Sequence, residues 1–323
     1  MILITGATGF LGSELAMQLA KQGNNIRCTR RITSIIPEIL APFQQQIEWV
    51  NADLLDTFSL EKALSGINKV YHCAAWVSLK KADKKPMTFV NVEGTANLVN
   101  LCLLQNIRLV HVSSIAAIGI AKPGELINEK HYLDLESESD GYALSKLESE
   151  MEVWRGIAEG LDAVIVNPSI IIGANAGTSG SGQLFETVRK GLKFYTAGSS
   201  GFVDVEDVAK AMILLMNSQF DSERYIINAD NIGYKQLFEE IAGNFAVKAP
   251  DFYAKAWMLD LAWRIAAFLS FITGKAPFLD KTSAIAASSK NNYDNAKIKN
   301  AVGMEFKPLS VSIKEVCDRL SPS

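Results

Sequence analysis

The chain has 323 residues, of which 48% are hydrophobic, and a formal net charge of −3. It is long enough to bury a substantial core, and it carries no basic excess of the kind that nucleic-acid-binding proteins use. Its four cysteines and three histidines are scattered, which argues against a disulfide framework and a zinc site. The first residues lack the features of a secretory signal. We expect a cytoplasmic protein with reduced thiols, no metal and a small-molecule ligand.

Short apolar runs alternate with helical segments over the first half of the chain. After an opening strand, the pattern predicts strands at 26–30, 47–51, 68–73, 108–113 and 161–167, and helices at 11–22, 88–104 and 140–158. Strands and helices that alternate at this interval are joined by right-handed crossovers. We therefore predict an α/β fold with a doubly wound parallel sheet.

Three glycines follow the opening strand at the spacing Gly-x-x-Gly-x-x-Gly, where the first helix begins. Gly6 lets the chain turn off the strand, Gly9 lets the backbone approach a pyrophosphate, and Gly12 lets the helix lie close to the sheet. The helix N-terminus offers unpaired N–H groups to the same phosphates. The stretch predicts a dinucleotide site, with glycines used only for tight packing as the alternative.

The regular alternation of strands and helices ends after residue 167. A loop rich in glycine and serine at 173–182 precedes a helix at 184–190, and such loops usually border a ligand, with a solvated surface loop as the alternative. A strand at 202–205, a helix ending at 216 and a strand at 224–228 are predicted to return to the sheet.

The most apolar stretch of the chain is 256–273. Asp260 and Arg264 lie inside it, four residues apart and on one helical face, which predicts an amphipathic helix with an internal ion pair. We expect an interface helix or a lid over the substrate, with membrane association as the less favoured alternative. Trp257 and Trp263 on this helix point to a hydrophobic substrate, although core or dimer contacts explain them equally well.

Polar residues follow the second and third strands, where ligands of such sheets bind. Arg30 and Arg31 favour the 2′-phosphate of NADP, with NAD as the alternative cofactor. The alternative without a ligand is that both arginines are simply solvated at the protein surface. Asp53 either accepts a hydrogen bond from the adenine amine or caps a turn. After the fourth strand, Ala74 and Ala75 either let the cofactor lie against the backbone or serve tight packing.

The fifth strand ends in Ser113 and Ser114, and the helix after it carries Tyr142 and Lys146 at i and i+4. An ammonium beside a phenol stabilises the phenolate, which makes tyrosine a usable proton donor to a carbonyl that receives hydride. Tyr293 and Lys297 repeat the spacing without a serine-ended strand before them. We interpret that second pair as a chance match.

Six short motifs occur together and in one order: TGATGFLG, HCAA, NVEGTANL, VSS, YALSK and FVDVEDVAKA. Together they resemble the extended short-chain dehydrogenase/reductase family, also called the NAD-dependent epimerase/dehydratase family. The run VNPSIIIG and the arginines after the second strand are most similar to its dihydroflavonol reductases and hydroxysteroid dehydrogenases. The resemblance implies a Rossmann-type domain over 1–167, with 202–229 returning to it, and a smaller, mostly helical substrate-binding part over 168–323.

Residue roles follow from the same resemblance. It implies that Ser114 hydrogen-bonds the substrate oxygen, with Ser113 as the alternative, and that Tyr142 is the general acid-base. It also implies that Lys146 holds the nicotinamide ribose and that Asn91 supports the cofactor side of the site. The expected cofactor contacts are Gly6, Thr8, Gly9, Phe10, Leu11, Gly12, Arg30, Arg31, Asp53, Leu54, Ala74, Ala75, Tyr142, Lys146, Asn167, Pro168 and Ser169.

The leading functional hypothesis is an NADP-dependent reductase or dehydrogenase acting on a secondary alcohol or ketone, in a homodimer. An NDP-sugar epimerase or dehydratase with tightly bound NAD is the alternative, although such epimerases commonly have Arg-Pro where this chain has Asn167-Pro168. An NADP(H)-sensing protein without turnover is the third hypothesis. The candidate substrate walls are Trp76, Ser78, Gln183 and Tyr195.

Overall fold

The structure is a computed structural model that describes residues 1–78, 81–119, 121–122, 124–133, 141–178, 180–273 and 281–321. Its strands are β1 Ile2–Thr5, β2 Ile26–Arg30, β3 Ile47–Asn51, β4 Lys69–His72, β5 Arg108–Val112, β6 Ala163–Pro168, β7 Ile170–Ile172, β8 Phe194–Tyr195, β9 Ser199–Asp204, β10 Glu223–Ile227, β11 Asp230–Gly233 and β12 Phe252–Tyr253. Its α-helices are α1 Phe10–Lys21, α2 Thr57–Leu64, α3 Lys84–Gln105, α4 Gly141–Ala158, α5 Gly182–Arg189, α6 Val205–Met216, α7 Tyr234–Asn244, α8 Ala256–Thr273, α9 Lys281–Ser288, α10 Ala296–Val302 and α11 Leu309–Leu320.

Seven parallel strands form the main sheet, in the order β10-β6-β5-β4-β1-β2-β3. The doubly wound parallel sheet predicted from the alternation of elements is therefore confirmed. The strand order reverses between β1 and β4, and in such sheets a ligand binds in the crevice at that reversal, beside the carboxyl ends of the strands. The glycine turn after β1 lies at this point.

Helices cover both faces of the main sheet, so its strands bury apolar side chains on both faces. One apolar core lies between the sheet and α1 and α6, and it includes Ile4, Val110 and Met212. A second core lies between the sheet and α3 and α4, and it includes Leu109 and Val99. Because side chains alternate along a strand, β1, β4, β5 and β6 each contribute to both cores.

Beyond β6 the chain builds a smaller, mostly helical part around two small sheets. Strands β11, β9 and β7 form one of them, and β12 pairs with β8 in the other. Helices α5, α7 and α11 enclose a third apolar core that includes Phe185, Phe202 and Leu237. This arrangement agrees with the predicted fold class.

One predicted strand pairs in a different place. The strand expected at 202–205 lies in β9, which pairs with β7 and β11 and is not part of the main sheet. The physical reason is that β10 already occupies the open edge of β6, where Glu223 is paired with Val164. Strand β10, expected at 224–228, does join the main sheet.

Helix α8 carries the predicted ion pair, with Arg264 Nη2 3.0 Å from Asp260 Oδ2. Trp257 on this helix is 64% exposed. Over the described part of the chain, no helix combines the length and apolar character that a membrane crossing needs. Two expectations fall partly outside the described residues, namely the helix start at residue 140 and residue 179 of the glycine-rich loop.

Candidate cofactor and active site

The glycine turn joins β1 to α1 with no room for side chains. Gly6 has a φ of +70°, and a Cβ there would lie 2.6 Å from the Ala74 nitrogen. A Cβ on Gly12 would lie 2.2 Å from the Gly6 oxygen, and the Gly9 N–H donates to that same oxygen at 2.9 Å. Backbone therefore packs on backbone where β1, β4 and α1 meet. The N-terminus of α1 opens on this turn, which fits a pyrophosphate.

The residues around the turn complete this end of the crevice. Thr8 and Phe10 are half-buried, and Leu11 is buried in the core under α1. Ala74 and Ala75 are half-buried after β4, and the Ala74 N–H donates to Thr5 Oγ1 at 3.3 Å. That Ala74 and Ala75 leave room for a cofactor against this backbone stays a prediction.

Two arginines of β2 have different roles. Arg27 Nε donates to Glu48 at 2.9 Å, and Arg27 Nη1 donates to the Ala63 carbonyl at 2.8 Å, so this side chain supports the fold. Arg30 is half-buried, and its Nε is buried without a hydrogen-bond partner among the described residues. Arg31 is exposed. An unpartnered guanidinium N–H at a strand end suits an anionic ligand.

The segment after β3 carries Asp53 and Leu54. Asp53 is exposed, and its Oδ1 accepts the Leu55 N–H at 2.9 Å, which is the turn cap considered from the sequence. The Leu54 carbonyl accepts from Asn97 Nδ2 at 3.0 Å. The Leu54 side chain packs so closely on α3 that a Cβ on Gly94 would lie 2.7 Å from Leu54 Cβ. Leu54 therefore fastens this segment to α3. Contact of Asp53 with adenine stays a prediction.

The two serines after β5 have different surroundings. Ser113 is 3% exposed, and its Oγ has no hydrogen-bond partner in the described part of the chain. Ser114 is half-buried, and its Oγ accepts the Ala116 N–H at 3.1 Å at the start of a 3₁₀ turn over Ile115–Ala117. An accepting hydroxyl oxygen keeps its own proton available for donation. Ser114 is thus the more accessible donor.

Tyr142 and Lys146 lie one turn apart on α4, and Tyr142 is half-buried. Lys146 is 6% exposed, and its Nζ donates to the Val112 carbonyl at 3.0 Å. Burial lowers the pKa of Lys146 to about 8, while Cys73 and Glu150 oppose that shift. The ammonium is therefore fixed at the carboxyl end of β5, two residues before Ser114.

Asn91 lies in α3 and binds the segment that leaves β4. Its Oδ1 accepts the Trp76 N–H at 2.7 Å, and its Nδ2 donates to the Trp76 carbonyl at 2.9 Å. Nδ2 also lies 3.3 Å from Ser145 Oγ on α4. Asn91 therefore holds the chain around Trp76 between α3 and α4.

The segment Asn167-Pro168-Ser169 leaves β6 beside Ser114. Asn167 is fully buried, and its Nδ2 donates to the Ser114 carbonyl at 3.0 Å. Ser169 Oγ donates to the Ile227 carbonyl at 3.3 Å, and Pro168 is buried. The segment is thus fastened to the ends of both β5 and β10.

The candidate substrate walls belong to two regions. Trp76 is 39% exposed, and Ser78 Oγ donates to Asp83 Oδ2 at 2.6 Å, so both follow β4. Gln183 is exposed on α5, and Tyr195 is half-buried in β8, where its ring centroid lies 5.7 Å from that of Tyr253. That these four side chains face one substrate stays a prediction.

The second pair with the Tyr-x-x-x-Lys spacing has other contacts. Tyr293 is 7% exposed and packs in a small apolar cluster with Ile118, Ile127 and Ile226. Lys297 Nζ donates to the Arg224 carbonyl at 2.7 Å. This pair is therefore built into the contact between α10 and β10.

The profile of the NAD dependent epimerase/dehydratase family matches residues 2–229. The chain belongs to this family. A Synechocystis protein named as a dihydroflavonol 4-reductase is 28% identical over 309 residues, which cover 93% of this chain and 89% of that protein. Sterol demethylase protein B of Methylococcus capsulatus is 32% identical over 248 residues, covering 75% of this chain and 74% of that protein. The family predicted from the motifs is confirmed.

A solved structure shares the fold. The Thermus thermophilus UDP-glucose 4-epimerase, solved in complex with NAD, matches with a TM-score of 0.77 at 22% identity, over 98% of both chains. At this identity the likeness shows the fold alone. The family match and the named relatives make the chain an NAD(P)-dependent enzyme of the oxidoreductase and epimerase type.

Two buried histidines of this family member were not singled out from the sequence. The rings of His72 and His111 lie 5.2 Å apart at the carboxyl ends of β4 and β5. His72 bonds Thr5 Oγ1 at 2.7 Å and Thr95 Oγ1 at 3.1 Å, whereas neither ring nitrogen of His111 has a partner among the described residues. Burial lowers the pKa of His72 to about 3 and that of His111 well below its ordinary value.

A buried carboxylate, Glu150, was also missed. It lies on α4 one turn after Lys146 and is fully buried. The signal that could have found it is helical phase, because Lys146, Glu150 and Val153 share the spacing of one helix face. A polar residue on the face that packs against the sheet marks a buried network rather than a solvated charge.

Proposed function

We propose that the enzyme is an NADP-dependent reductase or dehydrogenase that acts on a secondary alcohol or ketone. The observation that carries the proposal is the contact of Lys146 with the Val112 carbonyl. It fixes the ammonium one helical turn from Tyr142 and at the end of the strand that leads into Ser114. This contact supports the proposal that Ser114, Tyr142 and Lys146 act together at the carboxyl end of β5, near the glycine turn.

Each side chain has a distinct task in the proposed reaction. When bound, the nicotinamide cofactor supplies the hydride for reduction or accepts it for oxidation. Ser114 donates a hydrogen bond to the substrate oxygen and orients the carbonyl. Tyr142 delivers a proton to that oxygen as the carbon receives hydride, or removes it in the reverse direction. Lys146 stabilises the resulting phenolate by its positive charge and hydrogen-bonds the ribose.

Arg30 supports the choice of NADP. Its buried Nε lacks a partner among the described residues, and a 2′-phosphate supplies the anionic acceptor that would satisfy it. Arg30→Ala should weaken NADPH binding by about 1.5–3 kcal/mol, the usual worth of hydrogen bonds to charged groups. NADH binding, measured in the same fluorescence titration, should stay unchanged. Equal weakening of both cofactors would remove the basis for NADP.

The substrate proposed for this site is an apolar ring compound with a ketone or secondary alcohol. The exposed rings of Trp76 and Trp257 offer apolar contact area, and the relatives are named for a dihydroflavonol and a sterol. We propose that residues 168–323 contribute most of the substrate pocket, through Gln183 and Tyr195, and that Trp76 and Ser78 complete it. Homodimer formation and a cytoplasmic location stay predictions.

Tyr142→Phe tests the proposed chemistry. The variant keeps the ring and removes the proton donor, so kcat should fall by about 10²–10⁴-fold on any substrate that the wild type turns over. Tyr293→Phe is the matched control, because it alters the second Tyr-x-x-x-Lys pair, and it should keep the wild-type kcat. Full turnover by Tyr142→Phe would show that the mechanism is wrong.

The likeness to a UDP-glucose 4-epimerase fold keeps an NDP-sugar epimerase as the second candidate. Denaturing the purified protein and identifying the released cofactor separates the two. Tightly held NAD would favour the epimerase, whereas NADP(H) that exchanges freely would favour the reductase.

A further inference from the structure

The Glu150 carboxylate is surrounded by three donors. Arg224 Nη1 lies 3.0 Å from Oε1, Trp154 Nε1 lies 3.2 Å from the same oxygen, and Asn167 Nδ2 lies 2.8 Å from Oε2. Burying a carboxylate completely is costly unless it is paired and hydrogen-bonded, and here both conditions are met. Arg224 and Asn167 bind opposite oxygens, and this pair of contacts holds the carboxylate in one orientation.

Arg224 is itself held in place. It lies on β10 at 5% exposure, its Nε donates to the Glu129 carbonyl at 3.0 Å, and its Nη2 donates to the His131 carbonyl at 2.6 Å. Its guanidinium also lies 5.2 Å from the centroid of the Tyr132 ring. The ion pair therefore connects the edge strand β10, the helix α4 and the segment around residue 130.

Asn167 connects the ion pair to the active site. An amide nitrogen has two hydrogens, and Asn167 Nδ2 directs them to the Glu150 carboxylate and to the Ser114 carbonyl, 3.0 Å away. A single side chain thus separates Glu150 from the backbone of the serine proposed to bind substrate. Turning the Asn167 amide would break both contacts at once.

We propose that Glu150 is a positioning residue, which orients Asn167 so that Asn167 holds Ser114 in the geometry that binds the substrate oxygen. Arg224 neutralises and anchors Glu150, and neither residue touches the substrate. The kinetic consequence rests on the proposed function, whereas the structural link from Glu150 to Ser114 does not.

A purely structural ion pair would have a different signature. Its loss would lower stability and leave kcat unchanged in the protein that remains folded. A positioning role predicts a fall in kcat, because misplacing a catalytic group by about 1 Å can cost about 10²-fold in rate. For Glu150→Gln, which changes no expected cofactor contact, it also predicts an unchanged cofactor affinity. It also predicts that the effects of changing Glu150 and Asn167 do not add, because both act through one link.

Asn167→Ala and Glu150→Gln are the test variants, made singly and together. Asn167→Ala removes the link and leaves the Glu150–Arg224 pair. Glu150→Gln replaces one acceptor oxygen by a donor, so either Asn167 or Arg224 loses its partner. Glu223→Gln alters a neighbouring, half-exposed ion pair with Lys297, and Trp154→Phe removes the donor to Glu150 that does not lead to Ser114. Both are controls.

The readouts are kcat, the cofactor dissociation constant and amide hydrogen exchange over 114–118, measured on folded full-length protein. We expect each test variant to lower kcat by about 10- to 100-fold and to raise exchange over 114–118, with the double variant no worse than Asn167→Ala. Both controls should match the wild type. Additive losses in kcat, a wild-type kcat in Asn167→Ala, or unchanged exchange would overturn the proposal.

Failure of the proposed function is distinguishable from failure of this link. A wild-type protein that turns over no carbonyl or alcohol substrate would contradict the reductase. In that event hydrogen exchange alone decides: faster exchange over 114–118 in both Asn167→Ala and Glu150→Gln supports the link, and wild-type exchange in either overturns it.

Discussion

The two faces of the main sheet differ at the carboxyl ends of the strands. Under α1 and α6 the core is apolar along the strands, from Ile4 and Val110 to Val112 and Val166. Under α3 and α4 the core starts with Leu109 and Ile165 but ends in buried polar side chains. Those side chains are His72, His111, Lys146, Glu150 and Asn167.

This difference indicates which face performs the chemistry. A buried polar group costs stability unless it is paired, so a chain that keeps several of them together retains them for orientation or charge. The α1 face stabilises the sheet through close packing of glycine backbone and aliphatic side chains. The α4 face fixes a lysine, an amide and a carboxylate beside the segment that carries Ser114.

The largest effect is expected at the ion pair under α4. Glu150→Gln leaves the buried Arg224 without a full counter-charge and should lower the free energy of unfolding by about 3–5 kcal/mol. Glu223→Gln removes a half-exposed carboxylate paired with Lys297 and should cost less than about 1 kcal/mol. Urea denaturation of both variants measures the difference. Equal losses in the free energy of unfolding would mean that removing the buried charge of Glu150 is no more destabilising than removing the half-exposed charge of Glu223.

Lys146 should make stability depend on pH. Its pKa is about 8 in the folded protein and 10.5 ordinarily, so between these values the unfolded chain binds more protons. The free energy of unfolding should therefore rise as pH increases through this window, by up to about 3 kcal/mol from this group. The Lys146→Met variant has no ammonium at this position, so this pH-dependent part of the free energy of unfolding is absent from it.

The free energy of unfolding of wild type and of Lys146→Met is measured at pH 7.5 and at pH 10, and the difference between the two proteins is compared. The two pH values were chosen because the pKa of Lys146 changes from about 8 in the folded protein to 10.5 in the unfolded chain. Taking the difference cancels the tyrosines and thiols that both proteins share. A difference that does not change with pH would show that Lys146 is not desolvated as the structure has it.

The α1 face should be sensitive to a single methyl group. Gly12→Ala places a Cβ 2.2 Å from the Gly6 oxygen, which forces backbone apart, and should lower the free energy of unfolding by about 1–3 kcal/mol and weaken cofactor binding. In Gly243→Ala, on α7, the new Cβ meets no atom within 4 Å and should stabilise by up to about 1 kcal/mol. A Gly12→Ala protein with wild-type stability and cofactor affinity would contradict the close packing.

The histidine pair should give the smallest and most discriminating effect. His72→Leu loses two hydrogen bonds and should lower the free energy of unfolding by about 1–2 kcal/mol. His111→Leu removes ring nitrogens that have no partner among the described residues and should raise it by about 1 kcal/mol. Thermal unfolding at pH 7 compares them, and changes of the same sign would refute the assigned contacts.

Several local features could be predicted because their cause is local. Strands β2 and β3 begin and end where expected, at Ile26–Arg30 and Ile47–Asn51. In each, apolar residues at alternate positions mark a strand with one face toward the core. The partner of β9 could not be predicted in the same way. Whether a strand finds space beside β6 depends on β10, which follows it in the chain.

The candidate site also contains residues that could be predicted from the sequence and residues that could not. The glycine turn and the Tyr142–Lys146 pair were predicted by spacing and Ser114 by resemblance to the family, whereas Glu150 was not singled out. Along α4 it lies between Glu148 and Glu152. Composition does not separate the three, and helical phase only indicates that Glu150 shares a face with Lys146. Only packing removes Glu150 from water while Glu148 and Glu152 stay half-buried.

The sequence by itself determined the order of strands and helices and the turn after β1, because backbone sterics and apolar periodicity act between near neighbours in the chain. Tertiary structure alone decided which polar groups meet. Asn167 and Arg224 reach Glu150 from 17 and 74 residues away. Burial and pairing at such distances are properties of the packed sheet and helices, so the α4 network becomes visible only in the folded chain.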